Sequence, residues 1–310
     1  MKIESRIVAL QRCAEYRRQT IKGLVERLSR ALSFSIRSGD HVLIKPNLVC
    51  AQGVRGLPCT HPEFIAAVVE WLLDHGAKVL VGDSPAFGSA KGVMSACGIT
   101  DALKGLPVKL LNFNQRRQVT LKSGISVGIF PMAMECDMLV SLPKIKAHSQ
   151  LGVSLAVKNY FGAVVGFQKS WWHLRHGGRE CRFASLLVDL LEELPDGISL
   201  ADGILTMHVT GPVFGKPYAL GLVGGSVNPV ALDTALLIAL GQECQSSLIW
   251  RECANRKLVG SEAENIAYPL LTPEDMQVHD FIVPALLKPI SFNPFRLMMG
   301  GIKRLAAGLD

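Results

Sequence analysis

The chain has 310 residues, 49% hydrophobic and 19% charged, and carries a net charge of +7. This balance excludes disordered and fibrous classes, and no run approaches the length of a membrane span without a charge, glycine or proline, so no transmembrane segment is expected. The surplus of cations suits a small anionic ligand, nucleic acid or an anionic lipid surface, and equally a solvated surface slightly rich in lysine and arginine.

Short apolar runs alternate with helical stretches, the pattern of an α/β protein whose mixed or mostly parallel sheet is covered by helices. At this length the chain forms one large domain or two closely packed lobes; residues 1–310 are read as a single domain with a tail over 272–310. A helix is predicted over 15–37, then a strand over 41–44 that Pro46 stops. Residues 63–75 read as a helix, with Pro62 at its first position and Gly76 as its stop. Strands follow over 77–81, 108–113, 126–130, 138–142, 198–201 and 219–223. A helix through 151–158 would carry Gln150, Ser154 and Lys158 as a polar stripe.

The opening Met1-Lys2-Ile3-Glu4-Ser5-Arg6 lacks the apolar core of a signal peptide, and a cytoplasmic location is expected. The eight cysteines stand at 13, 50, 59, 97, 136, 181, 244 and 253, with no pair two to four residues apart. Free, mostly buried thiols are therefore expected, and no iron–sulfur cluster in this chain. Cys50 and Cys59 bracket a loop and are the one pair considered for a bridge or a shared metal. No dinucleotide or P-loop glycine motif is present, and no cofactor is assigned.

Ligands of open α/β sheets collect beyond the carboxyl ends of the strands. Four such ends carry polar groups here: Lys45 and Asn47, Asp83 and Ser84, Lys144 to His148, and Asp202. An aspartate after a strand also suits a turn or a cap. The lysines are more informative. Lys144, Lys146 and His148 alternate, so an extended backbone turns all three one way, and three cations on one side need an anion or carboxylates to answer them. Lys158 adds a fourth cation, unless it snorkels to the surface.

The same segments carry a resemblance. Ile44-Lys45-Pro46-Asn47-Leu48, Thr60-His61-Pro62-Glu63, Gly82-Asp83-Ser84-Pro85, Pro143-Lys144-Ile145-Lys146-Ala147-His148, Lys158-Asn159-Tyr160-Phe161-Gly162 and Gly211-Pro212 with Gly215 resemble the family catalogued as domain of unknown function 362, from about 12 to 241. The resemblance implies a prokaryotic cytoplasmic protein with a shared polar site and no established reaction. Many relatives also carry a ferredoxin-like segment with clustered cysteines, which this chain lacks.

Three functions are consistent with these observations. The first is an enzyme, or enzyme-like binder, of a small anionic metabolite, with His148 and Lys144 as catalytic candidates. Its ligand-binding candidates are Lys45, Asn47, Asp83, Ser84, Lys146, Lys158, Asn159 and Asp202. The second is an accessory protein in redox or cofactor assembly that docks an iron–sulfur protein partner. The third is RNA or membrane-surface binding through the basic loop around Trp171, Trp172, His173 and His176 and through the tail, without specific nucleic-acid readout.

Overall fold

The computed structural model describes residues 4–51, 57–86, 88–165, 182–285 and 287. Along them run β1 (Ala9–Arg12), α1 (Arg18–Ala31), β2 (His41–Pro46), α2 (Pro62–Asp74), β3 (Lys78–Asp83), α3 (Ala90–Ala96), α4 (Ile99–Ala102) and β4 (Lys109–Asn112). Next come β5 (Arg117–Thr120), β6 (Ser126–Ile129), α5 (Pro131–Glu135), β7 (Met138–Leu142), β8 (Lys144–His148), β9 (Gly152–Ser154) and α6 (Ala156–Asn159). The last are α7 (Arg182–Asp189), β10 (Gly197–His208), β11 (Lys216–Ser226), α8 (Pro229–Ala239) and α9 (Leu248–Asn255). The Trp171-Trp172 loop, Cys181 and the basic tail lie outside the described residues.

Nine strands form one mixed, mostly parallel sheet in the order β1-β11-β10-β7-β2-β3-β4, with β8 beside β10 and β9 beside β8. The β10-β7-β2-β3-β4 run is parallel throughout. From β2 the chain passes through α2 to β3 on one side, whereas the other neighbour of β2 is β7. Strand order therefore changes direction between β2 and β7, and the crevice past their carboxyl ends is where such sheets bind ligands.

Both faces of the sheet are covered. In β2, Val42 and Ile44 join a core cluster that holds Leu28 of α1 and Ile65 of α2. The intervening Leu43 belongs to a second cluster with Phe183 and Leu187 of α7. This division follows from the period-two alternation of strand side chains, and burial on both faces explains the continuous apolar run.

Three sequence expectations are corrected. The first helix spans Arg18–Ala31, shorter than 15–37. It stops because Ser33, at φ 50, takes the left-handed position that glycine usually marks, letting Ser33 N bond Arg30 O and Phe34 N bond Ser29 O. Residues 152–154 form strand β9, not a helix: Gly152, at φ +79, turns the chain so that Ser154 pairs with Lys146. Only Ala156–Asn159 is helical there, with Asp233 of α8 accepting from Ala156 N at 2.6 Å. Finally, Asp202 lies inside the twelve-residue β10 rather than at a strand end, because β11 pairs along nearly its whole length.

Candidate functional site

The site starts from Lys45, the fifth residue of β2. Its Nζ lies 2.9 Å from Oδ1 of Asp83, the last residue of β3, and 3.0 Å from the Pro46 carbonyl. Both ion-pair partners are at most 3% exposed. The other Asp83 oxygen accepts from Leu48 N at 2.9 Å. Asn159 joins this pair to the neighbouring strands: its Oδ1 accepts from Asn47 Nδ2 at 2.9 Å, and its Nδ2 donates to Ser141 Oγ at 2.9 Å.

Strand β8 supplies the next layer. Lys146 Nζ donates to Asn47 Oδ1 and, at 2.6 Å, to Pro58 O. His148 Nδ1 accepts from Gln150 N at 3.2 Å, so the proton of a neutral imidazole sits on Nε2. Half-buried Lys158 holds its Nζ 4.5 Å from the Phe161 ring centre and 5.2 Å from that of Phe183, a cation–π setting.

These groups surround a cavity of about 110 Å³, room for a few waters or a small anion. Of the predicted residues, Lys45, Asn47, Asp83 and Ser84 line it from β2 and β3. Lys146, His148, Lys158 and Asn159 line it from the other side. Three lysines thus meet one carboxylate among the described lining residues. Among the described residues, no group of three or more His, Cys, Asp or Glu side chains is arranged to hold a metal ion.

Lys144 and Asp202 are not brought to the cavity. They form a separate buried ion pair at 2.8 Å, with Tyr16 Oη accepting from Lys144 Nζ at 2.8 Å and donating to Asp202 Oδ1 at 2.7 Å. The Tyr16 ring stacks on His61 at 3.6 Å between centres. Sequence reasoning missed both rings. His61 stands in the Thr60-His61-Pro62-Glu63 segment that carries part of the resemblance, and in the structure it caps a helix: it accepts from Glu63 N and precedes α2.

Residues 58–61 connect the two centres as a strap. Pro58 accepts from Lys146; Thr60 Oγ1 donates to Leu142 O and accepts from Asn47 N; His61 N donates to Asp202 Oδ2 at 2.9 Å. Between them, Cys59 Sγ accepts from Val49 N at 3.4 Å.

Burial pushes Lys146 down to about 8, a shift opposed chiefly by the nearby Cys59. Burial, with Lys158 and Lys146 nearby, holds His148 well below its ordinary value, so it is neutral at pH 7. The sign for stability follows from Lys146. Between pH 8 and its unfolded value of 10.5 the unfolded chain binds the proton more tightly, so stability rises with pH across that window. Below it the full cost of the buried ammonium, about 3 kcal/mol, is present. Lys146→Met should flatten this part of the stability–pH curve; denaturant titrations from pH 7 to 10 that give parallel curves for both proteins would refute the assignment.

A mixed, mostly parallel sheet with helices on both faces, and a lysine-lined crevice near its switch point, defines an α/β protein. The chain belongs to the family described as Domain of unknown function (DUF362), whose model matches residues 42–237. It is 32% identical over 286 residues to a protein of Synechocystis sp. named thylakoid-associated protein, covering 92% of this chain and 88% of that one. Two solved structures are similar at a TM-score of 0.44. One is a Thermotoga maritima protein, 12% identical, covering 64% of this chain and 53% of that chain. The other is the lactate racemase apoprotein of Thermoanaerobacterium thermosaccharolyticum, 14% identical, covering 75% of this chain and 57% of that chain. The chain thus spans little more than half the length of either. No helix among the described residues is long and apolar enough to cross a membrane.

Proposed function

We propose that the cavity binds a small anionic metabolite bearing phosphate or carboxylate groups, as the site of an enzyme or enzyme-like binding protein. The observation that carries this reading is the make-up of the described lining, in which three lysines, Lys45, Lys146 and Lys158, stand with one carboxylate, Asp83, around a neutral His148. A bound anion answers that excess. With Nδ1 engaged, His148, a candidate acid or base on the sequence, acts as a hydrogen-bond donor through Nε2 and not as a base there. Lys144 and Asp202 act at one remove, fixing the strand that carries Lys146.

Lys158→Met keeps the apolar stem over the two rings and removes the charge. The variant, when empty, should melt no lower than the wild type, and it should lose most of the rise in melting temperature that phosphate or a polycarboxylate gives the wild type. Melts across an anion panel decide the matter: equal gains for both proteins, or none for the wild type, remove the main support for the reading.

A second reading, attachment to an anionic membrane surface, is favoured by the name of the Synechocystis relative and by the net charge of +7. Salt-sensitive co-sedimentation with anionic vesicles would support it. A protein remaining in the supernatant at low salt would instead fit the cytoplasmic location suggested by the sequence.

A further inference from the structure

The strap beneath the cavity carries a thiol centre that the anion reading does not use. Cys59, 1% exposed, sits between Pro58, which accepts from Lys146, and Thr60, which is paired with Asn47. Its neighbouring thiol is that of Cys97, at the end of α3. Both sulfurs also reach one carbonyl oxygen, that of Cys50, at 3.7 Å from Cys59 and 4.0 Å from Cys97. Cys50, the residue considered on the sequence beside Cys59, contributes its backbone oxygen to this group. All seven described cysteines are without a disulfide in this structure.

We propose that Cys59 and Cys97 form a redox-convertible dithiol, closed to a disulfide by a small peroxide, whose closure changes the charge facing Lys146. Three features support it. The two sulfurs meet at one carbonyl oxygen, which brings them together from two different elements. Cys97 is only half-buried, which opens one side of the pair to a small oxidant. The neighbouring Cys97 thiol, the Val49 N–H that donates to Cys59 Sγ at 3.4 Å, and the charge of Lys146 hold the Cys59 thiol below its ordinary value, which favours the thiolate.

The chemistry balances with hydrogen peroxide as oxidant. The Cys59 thiolate attacks one peroxide oxygen, the O–O bond breaks, and hydroxide leaves to take up a proton, giving the sulfenic acid. The Cys97 sulfur then attacks the Cys59 sulfur, loses its own proton and expels the sulfenic oxygen as water. Two thiols and one hydrogen peroxide become one disulfide and two waters; the sulfurs lose two electrons and the peroxide gains them. Reduction by a dithiol reverses the change.

Closure removes the negative charge beside Lys146, so at a pH low enough to keep that ammonium protonated, anions in the cavity lose a competitor for it. This second step rests on the anion-site reading; the disulfide itself does not.

The test treats the full-length protein with hydrogen peroxide and counts thiols under denaturing conditions. Eight alkylatable thiols should fall to six, with intact mass lower by two hydrogens and the Cys59 and Cys97 peptides joined in a non-reducing digest. In Cys97→Ser no bridge should form, and dimedone should label Cys59. Full alkylation of Cys59 and Cys97 after oxidation, or a bridge between other cysteines, overturns the proposal. Phosphate titrations of the reduced and oxidised forms separate the two ideas: the oxidised form should half-saturate at a lower phosphate concentration. A bridge with equal phosphate responses sinks the coupling alone, whereas no response in either form sinks the anion reading and leaves the disulfide standing.

Discussion

Asp202→Ala should lower stability by about 3–5 kcal/mol, because it leaves the Lys144 ammonium buried without its counter-charge. Lys144 is 2% exposed and Asp202 is not exposed at all, so water cannot substitute for the lost carboxylate. Asp202 also accepts from Tyr16 Oη and from His61 N, and these donors lose their acceptor too. With the unfolding entropy expected for a chain of this size, the melting midpoint should fall by about 5–8 °C. Adding Lys144→Met to the same protein should recover much of the loss, since the stranded charge is then gone. A single Asp202→Ala variant melting within a degree of wild type would show that the pair is not desolvated as described. A double variant no better than the single would show that the carboxylate serves mainly the Tyr16 and His61 donors.

Gly162→Ala should be comparably damaging for a different reason. A Cβ at Gly162 would lie well inside contact distance of both Asp83 Oδ1 and Lys45 Nζ. The ion pair must part or the turn carrying Gly162 must withdraw from β2. Overpacking alone costs about 1–3 kcal/mol, and separating a buried pair adds to it, so a loss of at least about 3 kcal/mol is expected. The phosphate response should vanish with it, because Lys45 and Asp83 shape the cavity wall. Gly23→Ala is the control: Gly23 lies inside α1 with nothing within 4 Å of its added carbon. That change should be neutral or stabilise by about 0.5–1 kcal/mol. If both variants behave alike in thermal melts, the close approach at Gly162 is not a constraint.

Much of the sheet was legible because its strands are buried on both faces and read as apolar runs, as with His41–Pro46 and Met138–Leu142. The alternation of Lys144, Lys146 and His148 gave the extended backbone of β8. It did not give the separation of Lys144 from Lys146. That depends on Asp202, which reaches Lys144 from a partner strand 58 residues away in sequence. The hairpin at Gly152 was hidden because Val153, Ser154 and Leu155 fit either period, and only the positive φ of Gly152 decides between them. The end of α1 was hidden by a serine doing what glycine usually does. Tyr16 had no local signature of a site, and His61 was marked only as part of the Thr60-His61-Pro62-Glu63 segment; the packing of α1 beside α2 brings the two rings together.

The position of Lys45 has a consequence for how the site responds to a ligand. It stands on the strand whose neighbouring residues feed two separate cores, so lifting β2 would disrupt both at once. The amides of Val42, Leu43 and Ile44 should therefore exchange with deuterium only at the rate of global unfolding. A pocket floor so anchored has little freedom left to lose when it is filled. Association should carry a small ordering cost, and calorimetry should find a heat-capacity change close to that of burying the ligand alone. Selectivity for a ligand at such a floor should be set by charge and cavity shape, since the strand beneath it is tied into both cores.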